Sequence, residues 1–354
     1  MQQNLEFSLL SAYILFSFFI FLIIIKISPK IFGGKLLDDD FQKPQAFHST
    51  LTPRAGGIAL ILSFILFIYL YKLFFSINYN EYLFLSLGLF SLGLIGDIKK
   101  EFNPTFRLLF MSIIILITIN IYSLNLEKVD FIFLNNLIDN VFFLNIFLLL
   151  YFLFIINGAN LIDGFNGLLG LHILIINIIL FVINLNSDNM SFLMLLVSQI
   201  AILIIFLLFN FPKAKVFLGD NGSYLLGGLT SLNIIFSNNL NPGISSFFFC
   251  ILLFYLFFEV FFSFFRKLYL NKSPLNPDNS HLHMLSYILL KKKFFNRDCN
   301  YLDSLLINLV YFIFISPSFL FIKNGILCRY WFFFLLIVYL IFYLKLKEKI
   351  NESS

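Results

Sequence analysis

Long apolar runs recur along this chain with only short polar stretches between them. A run of about 18 or more such residues is long enough to cross a bilayer. In hydrocarbon every backbone N–H and C=O must find a partner within the chain, so such runs fold as helices. About eleven spans can be drawn, at 8–27, 55–75, 81–96, 107–122, 140–157, 168–185, 191–209, 222–238, 244–265, 302–322 and 330–346. The stretch 123–139 reads equally as a loop or a surface helix. Composition closes the soluble alternative: of 354 residues, 60% are hydrophobic and only 12% charged, too little charge to keep a globular surface dissolved. The expected fold class is all-α, a polytopic transmembrane helical bundle of 10–11 spans. Residues 1–354 form one domain, with no long internal repeat and no linker. The first run is long enough to be a retained span and lacks the basic flank of a cleavable leader.

Lys and Arg set the orientation. Loops near 28–54, 97–106, 158–167, 210–221 and 266–301, with the C-terminal tail, alternate to one side. Counted with its span ends, that side carries every Lys and Arg except Lys72, Lys128, Lys323 and Arg329. The positive-inside rule makes it cytoplasmic. The net charge of +5 is spread over these loops and forms no basic stripe, so no nucleic-acid partner is expected. Cys250, Cys299 and Cys328 are isolated and outline no disulfide or metal framework. The tail KLKEKINESS reads as a solvated end.

The chemistry-bearing segments all fall on that cytoplasmic face. They are HSTLTPRAGG (48–57), GLIGDIKK (93–100), NGANLIDGFNG (157–167), VFLGDNGSYLLG (216–227) and PLNPDNSHLHM (274–284). Asp, Asn and His beside glycine turns are what a metal–diphosphate site needs. Carboxylates bind Mg²⁺, which also takes phosphate oxygens. Basic groups such as Arg54 and His48 hold the remaining phosphate charge, together with backbone N–H groups. Each residue has a plainer reading. Asp220 sits where it can cap the following helix. Asp97 can pair with Lys99 and Lys100 at a helix end. Asn157, Asn160, Asp163 and Asn166 recur every three residues, which on a helix keeps them on roughly one face; the plainer reading is a polar turn. His281 and His283 point to one side of an extended loop, where they can hydrogen-bond phosphate or hydroxyl groups or do nothing. Two histidines without a nearby cysteine are too few for zinc. Lys291 to Lys293 read as contacts to lipid head groups or solvent. Glu259 lies inside the ninth span and must face a partner in the bundle. Arg266 shares its helix face, leaving a structural pair and a substrate role both open.

Taken together, the segments resemble those of the polyprenyl-phosphate N-acetylhexosamine-1-phosphate transferase superfamily. TPRAGGIAL resembles its TPRxGG segment, NGANLIDGFNGL its NxxNxxDGx[DN]GL segment, and VFLGDNGSYLLG its FxGDxGS segment. PDNSHLHM is similar to the PDxxHxHH segment of the WecA-like branch. The matches run in family order from about 45 to 285. The resemblance implies transfer of a sugar-1-phosphate, in the N-acetylhexosamine class, from a UDP-sugar to undecaprenyl phosphate, with release of UMP. It implies a bacterial inner-membrane enzyme with its active site facing the cytoplasm, starting a lipid-linked surface glycan. It implies Mg²⁺, replaceable by Mn²⁺, held by Asp220 with Asp97. It assigns catalysis to Asp97, Asp163 and Asp220, and substrate contacts to Asn157, Asn160, Asn166, His281, His283, Arg54 and His48. A homodimer is compatible with it. Gly96 stands where the family has the first of two acids, and Met284 replaces a third histidine. The missing consecutive His triplet disfavours the muramoyl-pentapeptide substrate of the peptidoglycan branch. Competing readings are a catalytically impaired relative that scaffolds glycan assembly, favoured by Gly96, and a transporter or flippase.

Overall fold

The computed structural model describes residues 2–38, 51–99, 102–187, 189–274, 278–293 and 299–352. His48 lies outside the described residues. The helices are α1 (Gln2–Ile27), α2 (Gly56–Phe75), α3 (Asn80–Ile98), α4 (Pro104–Ile121), α5 (Ile132–Ile138), α6 (Val141–Ile162), α7 (Leu168–Asn184), α8 (Met190–Asn210), α9 (Gly219–Leu240), α10 (Ser246–Leu252), α11 (Phe254–Tyr269), α12 (Leu282–Lys293), α13 (Asn300–Ile315) and α14 (Gly325–Glu352). The one sheet among the described residues is a two-residue antiparallel pair, Leu37–Asp38 with Thr52–Pro53.

Eight helices are long and apolar enough to span a membrane, or nine with α10 and α11 as one broken span. The protein is a polytopic all-α membrane protein. Large apolar side chains such as Phe16, Leu109 and Phe142 stand exposed around the bundle, a surface suited to lipid. Asparagines start several helices: Asn140 accepts from Phe142 N and Phe143 N, and Asn189 from Phe192 N. Asn103 caps α4 through Thr105 N, with Pro104 next to it.

The expected span 244–265 is not one helix. It breaks at Leu253, and the halves meet at 70°. The stretch 123–139 contains the short helix α5, with Ile132 and Phe133 exposed. The C-terminal tail continues α14 in helix to Glu352, since Lys, Leu and Glu are good helix formers. α9 is more polar than these spans, yet it is the most enclosed of the described helices, packed against α2, α3, α6 and α7. Neighbouring helices shield it from lipid, so it can carry the Asn, Ser and Thr that lipid-facing helices exclude.

Those polar groups bond to one another. Asn233 on α9 donates to Gln199 Oε1 on α8 (2.7 Å) and to Asn177 Oδ1 on α7 (3.2 Å); Gln199 donates back to Asn233 Oδ1 (3.3 Å). Interhelical amide bonds of this kind each contribute roughly 0.5–1.5 kcal/mol. Asn233→Ala is therefore expected to lower the stability of the bundle by about 1–2 kcal/mol, because Gln199 and Asn177 lose partners in a buried site. A thermal or SDS-induced unfolding curve in detergent measures this, with activity at low temperature unchanged.

The two ends of the bundle differ. At the end of α9 near Leu240, Lys128 Nζ donates to Pro242 O (2.6 Å) and Ile244 O, and Arg329 to Asp130 O (2.6 Å). Two of the four basic residues set apart by the charge pattern, Lys128 and Arg329, thus share one end. The other end holds the polar segments.

Candidate active site

The site is assembled around the N-terminus of α9. The loop before α2 and the loop before α9 are zipped together by backbone bonds. Phe217 N donates to Pro53 O (2.9 Å), Gly56 N to Phe217 O (2.8 Å) and Gly57 N to Leu218 O (3.1 Å). TPRAGG and VFLGD, over 150 residues apart in sequence, are thereby one unit. Gly219 turns the chain into α9 with φ +76°, and a Cβ there would stand 2.8 Å from Asp97 Oδ2. Both the left-handed backbone and the close approach require glycine.

Asp97 lies at the end of α3 with its side chain fully enclosed. One oxygen accepts from Asp220 N (3.2 Å), the other from Asn221 N (2.9 Å) and the Asn221 amide. Arg54 Nη1 stands 3.7 Å away. Its described partners are these rather than Lys99, one half of the plainer reading; Lys100 lies outside the described residues. Nor does Asp97 present an oxygen to solvent, as the expected metal ligand would. It holds the first N–H groups of α9, where a carboxylate also meets the positive end of the helix dipole.

Asp220, in the first turn of α9, is the carboxylate that reaches solvent, its side chain 22% exposed. Asn160 donates to Oδ1 (2.8 Å) and Arg107 Nη1 to Oδ2 (2.6 Å). Asn160 also donates to Ser223 Oγ (3.0 Å). Arg107, in the first turns of α4, was not singled out from sequence, nor was Ser223. The available signal for Arg107 is a lone arginine just inside a span, next to a loop of the charged face. Gly96 lies beside this pair: a Cβ there would be 3.3 Å from Asp220 Oδ2 and 3.6 Å from Arg107 Nη1. The place of the missing acid thus abuts the Asp220–Arg107 contact.

Asn157, Asn160 and Asp163 follow one face of α6, but α6 stops at Ile162 and the fourth member leaves the helix. Asn166 donates to Pro212 O (2.9 Å), tying the turn to the loop before α9. Asn157 is not brought to Asp220; its amide donates to Leu153 O (2.7 Å), one turn down its own helix. Asp163 caps the end of α6, half-buried. Burial first, then the negative charge of Asp220 and Asp97, pushes its carboxyl up to about 8, with Arg54 opposing.

A carboxyl whose pKa is raised in the fold is stabilising when protonated. That advantage fades as pH rises from the ordinary carboxylate range towards about 8. Asp163→Asn, which cannot ionise, is expected to raise the melting temperature at pH 8 in the presence of a chelator. The gain should shrink towards pH 4. A melting series over that range checks the sign.

The histidines differ from the expected exposed loop pair. His281 is 2% exposed and His283 fully buried. His281 Nδ1 meets Glu259 Oε2 (3.2 Å) and Nε2 meets Asp278 Oδ1 (3.1 Å), so neither nitrogen is open to a phosphate. Arg266 pairs with Asp278 (2.8 Å), not with Glu259.

The oxygen-rich set around Asp220 suits a hard cation such as Mg²⁺ rather than zinc. Among the described residues no three His, Cys, Asp or Glu side chains gather as a ready cage. Mg²⁺ does not need one, since it is usually bound by one or two carboxylates and completes its shell with water and phosphate oxygens.

Apolar helices that carry carboxylate, amide and guanidinium groups at one end define a membrane-embedded enzyme class rather than a soluble one. The chain belongs to glycosyl transferase family 4, the polyprenyl-phosphate hexosamine-1-phosphate transferase superfamily; residues 79–238 match the family model. Over 302 residues it is 28% identical to the undecaprenyl-phosphate alpha-N-acetylglucosaminyl 1-phosphate transferase of Thermotoga maritima, covering 82% of each chain. It is 31% identical to the phospho-N-acetylmuramoyl-pentapeptide-transferase of Dictyoglomus turgidum over 230 residues, 62% of this chain and 72% of that one. A probable undecaprenyl-phosphate N-acetylglucosaminyl 1-phosphate transferase of Bacillus subtilis is 29% identical over 244 residues, 67% of this chain and 66% of that one.

Proposed function

We propose that the protein transfers N-acetylhexosamine-1-phosphate from a UDP-sugar to undecaprenyl phosphate on the cytoplasmic side of a bacterial inner membrane. The lipid-linked sugar begins a surface glycan. The observation that carries this reading is Asp220, the solvent-reaching carboxylate, framed by Asn160, Ser223 and Arg107 at a helix N-terminus.

In the reaction an oxygen of the lipid phosphate bonds to the β-phosphorus of the donor. The bond from that phosphorus to the bridging oxygen breaks, and UMP leaves with the electron pair. A phosphate monoester is already anionic near neutral pH, so no strong base is required. Asp220 and the Asn160 carbonyl would hold Mg²⁺, with Mn²⁺ as a substitute. When bound, the ion neutralises charge on the phosphate oxygens. Arg107 and Arg54 supply fixed positive charge for the phosphates. Asp97 keeps the α9 N-terminus in register. Asn166, its N–H spent on Pro212 O, keeps its carbonyl oxygen to accept from a nucleobase N–H.

The donor is tested by incubating purified protein in detergent with undecaprenyl phosphate, Mg²⁺ and a panel of UDP-sugars, and weighing the lipid product by mass spectrometry. One UDP-N-acetylhexosamine should give product, and the muramoyl-pentapeptide donor none. Gly96 favours the rival reading of a silent scaffold; folded protein that yields product with no donor would establish that reading instead.

A further inference from the structure

Glu259 is a carboxylate two turns inside an apolar helix, 1% exposed, and the mechanism above does not use it. Its oxygens are fully engaged. Oε2 meets His281 Nδ1 at 3.2 Å, and Oε1 accepts from Leu282 N (3.1 Å) and Tyr339 Oη (2.7 Å). Leu282 is the first residue of α12, so Glu259 caps that helix from another element. On its other side His281 meets Asp278, which Arg266 holds in turn; Arg266 also bonds Ser280 O and Tyr343 Oη. The turn 278–282 is thus stapled to α11 and α14.

The His283 ring lies parallel to that of His281, 5.8 Å away and 7° from coplanar orientation. It meets Phe165 edge-on at 5.3 Å. Its Nε2 has no hydrogen-bond partner among the described residues and would be 3.4 Å from a Cβ on Gly164. Phe165 and Gly164 belong to the turn that carries Asp163 and Asn166.

We propose that Glu259 is a positioning residue. Held by Tyr339, it clamps His281 together with Asp278, one carboxylate on each ring nitrogen, and through His283 this clamp fixes the Asp163–Gly167 turn on the donor side of the active site. On this view the two histidines of the HLH segment support the site from beneath rather than bind phosphate. This rests on the functional reading above only for the word donor; the clamp stands on geometry. Burial alone lowers the basicity of both rings. The bonds to Asp278 and Glu259 more than reverse this for His281, whereas His283, without such partners, falls to about 3. The two rings should therefore be spectroscopically distinct.

The chain has four histidines, so ¹⁵N-histidine labelling gives a tractable spectrum, assigned by single His→Gln variants. In wild type at pH 7.5 His281 should carry protons on both nitrogens and His283 on one. Glu259→Gln should return His281 to a singly protonated ring. With the donor identified, Glu259→Gln and His283→Gln should each raise its KM about tenfold or more, as loss of a supporting shell does. The KM for undecaprenyl phosphate and kcat should move less than about threefold, and the double variant should be no worse than the worse single. If Glu259→Gln does not fold, Tyr339→Phe removes one of the carboxylate's three donors and should shift the same resonance and the same KM in milder form. A singly protonated His281 in wild type, or one unchanged in these variants, would overturn the clamp. A loss confined to kcat or to the lipid KM would overturn the link to the donor side. The spectra need no turnover, so a failure of the transferase reading leaves them decisive for the clamp.

Discussion

Asp220→Asn is expected to lower kcat by about two to three orders of magnitude while the protein keeps its fold. The amide can still accept from Asn160, so the local geometry survives. It loses the negative charge that pairs with Arg107 at 2.6 Å and that would hold the cation. Of the three carboxylates near the α9 N-terminus, Asp97 is enclosed and Asp163 is driven towards its neutral form. Neither is placed to take over. Turnover measured beside a melting curve separates lost chemistry from lost fold. A variant with more than about a tenth of wild-type kcat at saturating Mg²⁺ would remove Asp220 from the centre of the mechanism.

Asp97→Ala should act differently. It strips acceptors from Asp220 N, Asn221 N and the Asn221 amide, and leaves Arg54 with one carboxylate fewer. Buried donors left unpaired cost roughly 1–3 kcal/mol each, so destabilisation of about 3 kcal/mol or more is expected, with activity falling in step. Asp97→Asn keeps one acceptor oxygen and should be milder in stability. In both variants the Mg²⁺ concentration for half-maximal rate should stay near that of wild type, because the carboxylate holds a helix rather than the ion. A large rise in that concentration would return Asp97 to the metal site.

Much of this was legible from residues alone. The apolar runs predict the helices, because a bilayer leaves the backbone no other choice, and the charge asymmetry predicts which loops share an end. The match of segments to family motifs placed Asp220 and Asn160 in one site, where they touch. What could not be read was where enclosed side chains point. Asp97 and His281 sit in motifs that suggest ligand contact, yet their polar atoms are taken by protein partners: for Asp97 the N-terminus of α9, far away in sequence, and for His281 Glu259 on α11 and the neighbouring Asp278. Arg107 was missed for the converse reason: an arginine at the start of a span looks like an interfacial anchor, and only the fold sets it beside Gly96 and Asp220. The α10–α11 break was invisible because the sequence there, Phe249 to Tyr255, carries no Pro or Gly to mark a kink.

The most direct test of the central claim is UMP formation on mixing purified protein with its UDP-N-acetylhexosamine, undecaprenyl phosphate and Mg²⁺, followed in wild type and Asp220→Asn. The account predicts UMP and lipid diphosphate in equal amounts, only with all three components present, and almost none from the variant. UMP released without the lipid, or at equal rates by wild type and variant, would contradict it.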